Sequence, residues 1–205
     1  MFFQVLIISA LISFFGTISP ATINVTVLQL SLRNKTRQAL SLALGAAIVD
    51  SIYAAISVKV ATYLKENVEF SNYFFLVAAG VLLLLGTFSL ISRKQEEVKA
   101  LKDQSGLGFL QGLLLGLFNP LAMPFWLGWT SVLQMGGWID VEGINYWAFV
   151  LGAFIGEIGL LIIVVRIGER FTRLSENRLL TNVIPGVVLI ALGLFNLVTW
   201  LSFYF

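Results

Sequence analysis

The sequence predicts an all-α integral membrane protein of six transmembrane helices, built as two inverted-topology three-helix repeats, with the first and fourth helices broken at Pro20 and Pro120. Three observations lead there. Apolar residues make up 58% of the 205-residue chain and charged residues 12%, with a mean hydropathy of +0.91, whereas an average soluble domain is about a quarter charged. Apolar runs of the length needed to cross a bilayer, about 20 residues, recur along the chain. The two halves also match at positions that an apolar composition does not require.

The runs are Phe3–Leu32, Ala39–Tyr63, Tyr73–Ser92, Gly108–Gln134, Tyr146–Ile167 and Thr181–Phe203. The first and fourth are longer than one crossing needs. The first lacks the positively charged start of a secretory signal and is read as a retained span. Loops fix the orientation. Arg33, Lys35 and Arg37 follow the first span; Arg93, Lys94, Lys99 and Lys102 the third; Arg170, Arg173 and Arg178 the fifth. The other side offers Lys65, and Asp140 with Glu142. An excess of Lys and Arg marks cytoplasmic loops, so both termini are expected outside. Trp138, Trp147, Trp200 and Tyr204 near outer span ends suit the water–lipid interface.

Shifting the second half back by 107 residues aligns Gly45 with Gly152, Asp50 with Glu157, Lys59 with Arg166, Gly86 with Gly193 and Phe88 with Phe195. In the first span of each half a shift of 100 aligns Gly16 with Gly116 and Pro20 with Pro120. Each repeat holds an odd number of spans, so the second must enter from the opposite side, as in secondary transporters that bind substrate where two such repeats meet. The repeats are expected at 1–92 and 107–205, joined by a cytoplasmic linker at 93–106.

The two breaks read Gly16-Thr17-Ile18-Ser19-Pro20 and Gly116-Leu117-Phe118-Asn119-Pro120. Ser19 and Asn119 suit helix N-caps, and Pro20 and Pro120 suit the first helical position, where a missing N–H costs nothing. Gly16 and Gly116 can end the preceding half-helix. Backbone groups freed in this way are tolerated only where they line a cavity inside protein. A half-helix N-terminus there presents N–H groups and partial positive charge, suited to a carboxylate. Thr17, Thr22 and Asn24 add polar groups beside the first break, and Trp126 and Trp129 follow the second. The expected substrate-binding residues are Gly16, Thr17, Ser19, Pro20, Asn24, Gly116, Asn119, Pro120 and Trp126.

Asp50 and Glu157 each lie near the middle of a span, where an unpaired charge costs on the order of 3 kcal/mol. They are expected to face the protein interior, holding a substrate ammonium, a coupled proton, or each in turn. Lys59 and Arg166 sit nine positions further on, about 13 Å along the helix and on roughly the opposite face, and are expected to reach for the interface. Gly108, Gly112 and Gly116, with Gly152 and Gly156, repeat at four-residue spacing and read as close helix contacts.

With no Cys and no His, disulfides, thiol relays and soft-metal sites are excluded. The sequence holds no nucleophile–base pair, metal cluster, phosphate-binding loop or basic face for nucleic acid. The expectation is a non-enzyme without cofactor or metal, whose partners are the lipid bilayer, a small-molecule substrate and protons. A homo-oligomer is compatible with the sequence.

The chain resembles the LysE-type amino-acid exporter family, the lysine and homoserine/threonine efflux proteins. The likeness rests on the early G-x-x-S-P break, the following SLRNKTRQALSLALGAAIVD, an F-x-x-G-x-x-x-x-x-x-N-P pattern at Phe109–Pro120 and G-V-V-L-I-x-L-G at Gly186–Gly193. The family's first break usually reads S-P-G-P, where this chain has Ser19-Pro20-Ala21-Thr22. Pro124 is also not a usual family feature. The resemblance implies a bacterial inner-membrane exporter of amino acids, driven by the proton gradient or the membrane potential. Two other readings remain open from the residues. One is a cation/proton exchanger using Asp50 and Glu157 for a hard divalent cation, although Glu157-Ile-Gly159 is followed by Leu160 rather than an acid. The other is a membrane assembly protein that transports nothing.

Overall fold

A computed structural model describes residues 1–18, 22–66, 107–119 and 121–175, with single positions inside 76–91 and 187–201, all helical. Six continuous helices run through it: α1 (Phe2–Thr17), α2 (Thr22–Leu32), α3 (Thr36–Glu66), α4 (Gly108–Leu117), α5 (Ala122–Met135) and α6 (Ile144–Ser175). Two stretches, Thr36–Tyr63 and Ile144–Arg166, are long and apolar enough to cross a membrane alone. The pairs α1–α2 and α4–α5 meet the same test as bent units, turning by 74° and 62°. Most of the third and sixth expected spans, the linker at 93–106, and Ser19, Pro20 and Pro120 lie outside the described residues.

The side chains are arranged for lipid. On α1, Phe3, Ile7, Leu11 and Phe15 recur every fourth residue and are exposed, while Val5, Ser9 and Ser13 are buried. Four-residue spacing puts each set on its own helix face. Large apolar groups therefore point outward and small or polar ones inward, which suits a solvent as apolar as leucine. Ile52 and Ile56 of α3 and Leu151 and Ile155 of α6 are exposed in the same way.

Glycines set which helices touch. A Cβ on Gly112 of α4 would collide with the carbonyl of Leu42 on α3, one on Gly108 would come within 2.7 Å of Gln38 O, and one on Gly116 within 2.9 Å of Val49 Cβ. From the other side, a Cβ on Gly45 would strike Phe109 O. The second seam is alike: Gly152 and Gly156 of α6 lie against Leu6 O, Ser9 and Ala10 O of α1. Both seams join helices that run parallel, backbone against backbone. The packing reading of these glycines therefore holds. Gly16 and Gly116 play a different part from the helix-ending one expected. α1 continues to Thr17 and α4 to Leu117, and neither glycine takes a positive φ. Their missing side chains make room instead, Gly16 for the tip of the Phe125 ring and Gly116 for Val49.

The bent pairs end alike. At the end of α2, Asn34 has φ of 59°, its N–H bonds Ser31 O at 3.0 Å, and Lys35 N–H bonds Leu30 O at 2.9 Å. At the end of α5, Gly137 has φ of 67°, its N–H bonds Gln134 O at 3.3 Å, and Trp138 N–H bonds Leu133 O at 3.0 Å. Each is a Schellman cap, with a left-handed residue stopping the helix and two N–H groups satisfying its last carbonyls.

Two apolar clusters flank the middle of the molecule. Toward the Arg33–Arg37 end lie Ile23, Val27, Leu28, Leu42, Ala43, Ala46, Leu160, Leu161, Val164 and Val165. Toward the Trp138 end lie Val5, Ala54, Val58, Trp126, Leu133, Phe149 and Ala153.

Candidate functional site: a carboxyl pair beside two helix breaks

Between those clusters the packed helices α3 and α6 set Asp50 and Glu157 close enough for their carboxyl groups to interact. Two carboxyl groups in one buried site can share a proton. The residues lie 107 apart in sequence and on different helices; only the packing of α3 on α6 makes them a pair.

Their surroundings differ. Trp126 donates its indole N–H to Asp50 Oδ1 at 2.8 Å. Ser13 Oγ lies 3.5 Å from Asp50 Oδ2 while donating to Ala153 O at 2.8 Å. Glu157 is buried, and its Oε2 has no hydrogen-bond partner among the described residues. Asp50 keeps some exposure. One acid is thus held by donors, and the other offers an unused acceptor.

Trp126 is wholly buried, its ring edge-on to Phe149 with centroids 5.5 Å apart and to Phe125 at the same separation. Aromatic rings favour this geometry, and it fixes the direction of the indole N–H. Thr130, one turn further along α5, bonds back to Trp126 O at 2.7 Å.

At both breaks a side chain covers a carbonyl that the helix end leaves free. Asn24, expected at the substrate site, donates through Nδ2 to Thr17 O, so a side chain of α2 covers a carbonyl at the end of α1. At the other break, Tyr53 of α3 donates to Leu117 O at 2.8 Å. Helix ends leave carbonyls without intrahelical partners, and in lipid such groups must be satisfied internally. Asn119 is not the N-cap its residue type suggests: its Oδ1 accepts the Leu121 N–H at 3.2 Å in an Asx turn ahead of the helix, and Leu121 takes the N-cap position without a side-chain cap bond. Helix α5 starts at Ala122, two residues later than a start at Pro120 requires. Gly16 meets Phe125 across the breaks, and Gly116 meets Val49, the neighbour of Asp50.

Of the expected residues, Trp126 bonds Asp50 and Gly116 lies against Val49 beside it, Gly16, Thr17, Asn24 and Asn119 sit at the two breaks, and Ser19, Pro20 and Pro120 fall outside the described residues. Lys59 keeps away from the pair, its Nζ 4.7 Å from the Tyr146 ring centroid, and Arg166 is exposed. Ser13, Tyr53 and Phe125 were not singled out by the sequence reading. Ser13 carried a readable signal, as the last of Val5, Ser9 and Ser13 on the small face of α1.

A chain that is helical throughout its long described elements, with large apolar groups outward and two carboxyl groups brought together inside, is a multi-pass membrane protein built around a polar centre. Residues 14–199 match the LysE type translocator family, and the chain belongs to that family, whose members are transporters rather than enzymes. Neither a curated protein nor a solved structure matches the chain.

Proposed function

We propose that this protein exports amino acids or similar small zwitterions across the bacterial inner membrane, coupled to protons or to the membrane potential. The observation that carries the reading is the meeting of Asp50 and Glu157 between α3 and α6, with the Trp126 indole N–H bound to Asp50. The pair can hold one proton and offers Glu157 Oε2 as an acceptor for a substrate ammonium. The starts of α2 and α5, with Thr17, Asn24 and Asn119 nearby, supply N–H and amide groups for a substrate carboxylate.

The same reading takes residues 1–92 and 107–205 as inverted repeats, with both termini outside. Several contacts support it. The first helix of each half packs on the second long helix of the other: α1 on α6 through Ser9 and Gly152, α4 on α3 through Gly112 and Gly45. Ser31 donates to Val165 O at 2.6 Å, and Gln134 to Val58 O at 3.4 Å. In all of these, and in the Schellman caps at Asn34 and Gly137, the long helices correspond with an offset of 107 and the bent pairs with an offset of 103. The offset of 100 that aligns Pro20 with Pro120 is about one helical turn out from that register. The two breaks are accordingly staggered rather than equivalent.

Purified protein in liposomes loaded with candidate amino acids should show counterflow, and Asp50→Asn or Glu157→Gln should remove it. Unchanged transport in both variants overturns the mechanism. A response to Ca²⁺ or Mn²⁺ with none to amino acids would instead favour the cation exchanger, because paired carboxylates also suit hard cations.

A further inference from the structure

The two bent pairs each lay their second half against a long helix, α5 on α3 and α2 on α6, and these two seams differ in chemistry. The α3–α5 seam carries a line of polar groups among the apolar side chains of Ala54, Val58 and Leu133. From Asp50 and Trp126 it runs through Ser57 and Thr130, 3.4 Å apart as Oγ1 to carbonyl, to Thr62 and Gln134, joined at 3.1 Å. Trp126, Thr130 and Gln134 follow one another at four-residue spacing on one face of α5. Ser57, Thr130, Ser131 and Gln134 are all buried. Among the described residues Ser57 Oγ bonds the thioether of Met123, at 3.7 Å, and Ser131 Oγ has no partner. The corresponding stretch of the α2–α6 seam is mostly apolar, with Ile23, Val27, Leu28, Leu160, Leu161, Val164 and Val165 buried and Ser31 bonding across its inner end to Val165 O.

We infer that the α3–α5 seam is the outer half of the permeation path, closed here and lined when open by Ser57, Thr130, Ser131 and Gln134, whereas the α2–α6 seam is an apolar inner gate. Buried hydroxyls with weak or missing partners are the groups that gain most from water. A seam lined by Ile, Val and Leu expels water and closes by dewetting. The glycine seams, α3–α4 and α1–α6, fit backbone to backbone and move as units, whereas α3–α5 and α2–α6 lack such contacts and are able to part. The ligand of the outer seam is water together with the polar groups of a small zwitterion. The assignment of inner and outer rests on the orientation and transport reading above.

Because the chain has no Cys, single Cys replacements report on one site each. Thr130→Cys and Ser131→Cys are compared with Ile56→Cys, which neighbours Ser57 but is exposed on the apolar surface, and with Val27→Cys and Val164→Cys in the inner seam. A membrane-impermeant thiol reagent is applied to intact cells and, separately, to inverted vesicles. A thiol reacts as its thiolate, which forms in water and not in lipid, so the two outer-seam variants should label at least about tenfold faster than Ile56→Cys from the outside. The inner-seam variants should stay unlabelled from the same side. Labelling of Thr130→Cys and Ser131→Cys no faster than Ile56→Cys, or labelling from the opposite side only, overturns the inference. Either variant alone suffices if the other does not fold. No substrate enters this measurement, so it stands or fails apart from the counterflow result.

Discussion

The indole N–H of Trp126 points at Asp50 Oδ1 from 2.8 Å, and this bond makes the two acids of the central pair unequal. Asp50 is the held acid, and Glu157, whose Oε2 has no partner among the described residues, is the one free to exchange. Trp126→Phe keeps an aromatic ring against Phe149 while removing the donor and part of the ring volume. A hydrogen bond to a charged group contributes about 1.5–3 kcal/mol. Counterflow should fall by roughly ten- to hundredfold, with Tm lowered by several degrees and the protein still folded in detergent. Wild-type transport in this variant would refute the role given to the indole.

Glu157→Gln tests the pair from the other side. Glutamine keeps the shape and supplies an N–H toward Asp50, but holds no exchangeable acid proton. The variant should melt at or above the wild-type temperature while transport is lost. A drop of several degrees together with retained transport would mean that Glu157 serves packing instead.

The glycine seams predict a sharp contrast. Gly112→Ala and Gly152→Ala would press Cβ into backbone carbonyls of the neighbouring helix, whereas a Cβ on Gly159 meets nothing within 4 Å. Overpacking costs about 1–3 kcal/mol, and each kcal/mol shifts Tm by about 2–4 °C in a chain of this size. Gly159→Ala should be neutral or slightly stabilising. Equal melting temperatures for the three variants would count against the backbone-to-backbone fit.

Asn119→Ala removes the acceptor for the Leu121 N–H. Loss of such a hydrogen bond costs about 1 kcal/mol, and Asn119→Ser should recover most of it. Comparing the three melting curves checks this, and no difference between the alanine variant and wild type would mean that the turn is held by other contacts.

Much of the architecture was legible because lipid constrains sequence so strongly. The apolar runs at Ala39–Tyr63 and Tyr146–Ile167 fall within α3 and α6, and the lengths of Phe3–Leu32 and Gly108–Gln134 pointed to helices that bend. Asp50 and Glu157 stood out because carboxylates in apolar runs are rare. Their meeting was a tertiary event that no spacing encodes. Trp126 was flagged for following the break, yet its partner was invisible for the same reason. The shared S/N-P signature drew the proline alignment, while the seam contacts follow another register, because interhelical packing is set by small residues such as Ser9 and Gly112 rather than by prolines. Ser13 and Tyr53 escaped because a hydroxyl in an apolar helix is more often spent on its own backbone, as Ser51 does on Ala47 O at 2.6 Å.

The pairing of α1 with α6 has a consequence for how the chain is made. Ser13 finds Ala153 O 140 residues downstream, so α1 enters the bilayer early in synthesis and waits for its mate. Domains of a growing chain fold as units when their contacts are local, and here both glycine seams join one half to the other. During that interval the Val5–Ser9–Ser13 face is open to any helix with small residues at four-residue spacing. Truncation after α3 should leave that face of α1 without its mate, which arrives only when α6 closes on it.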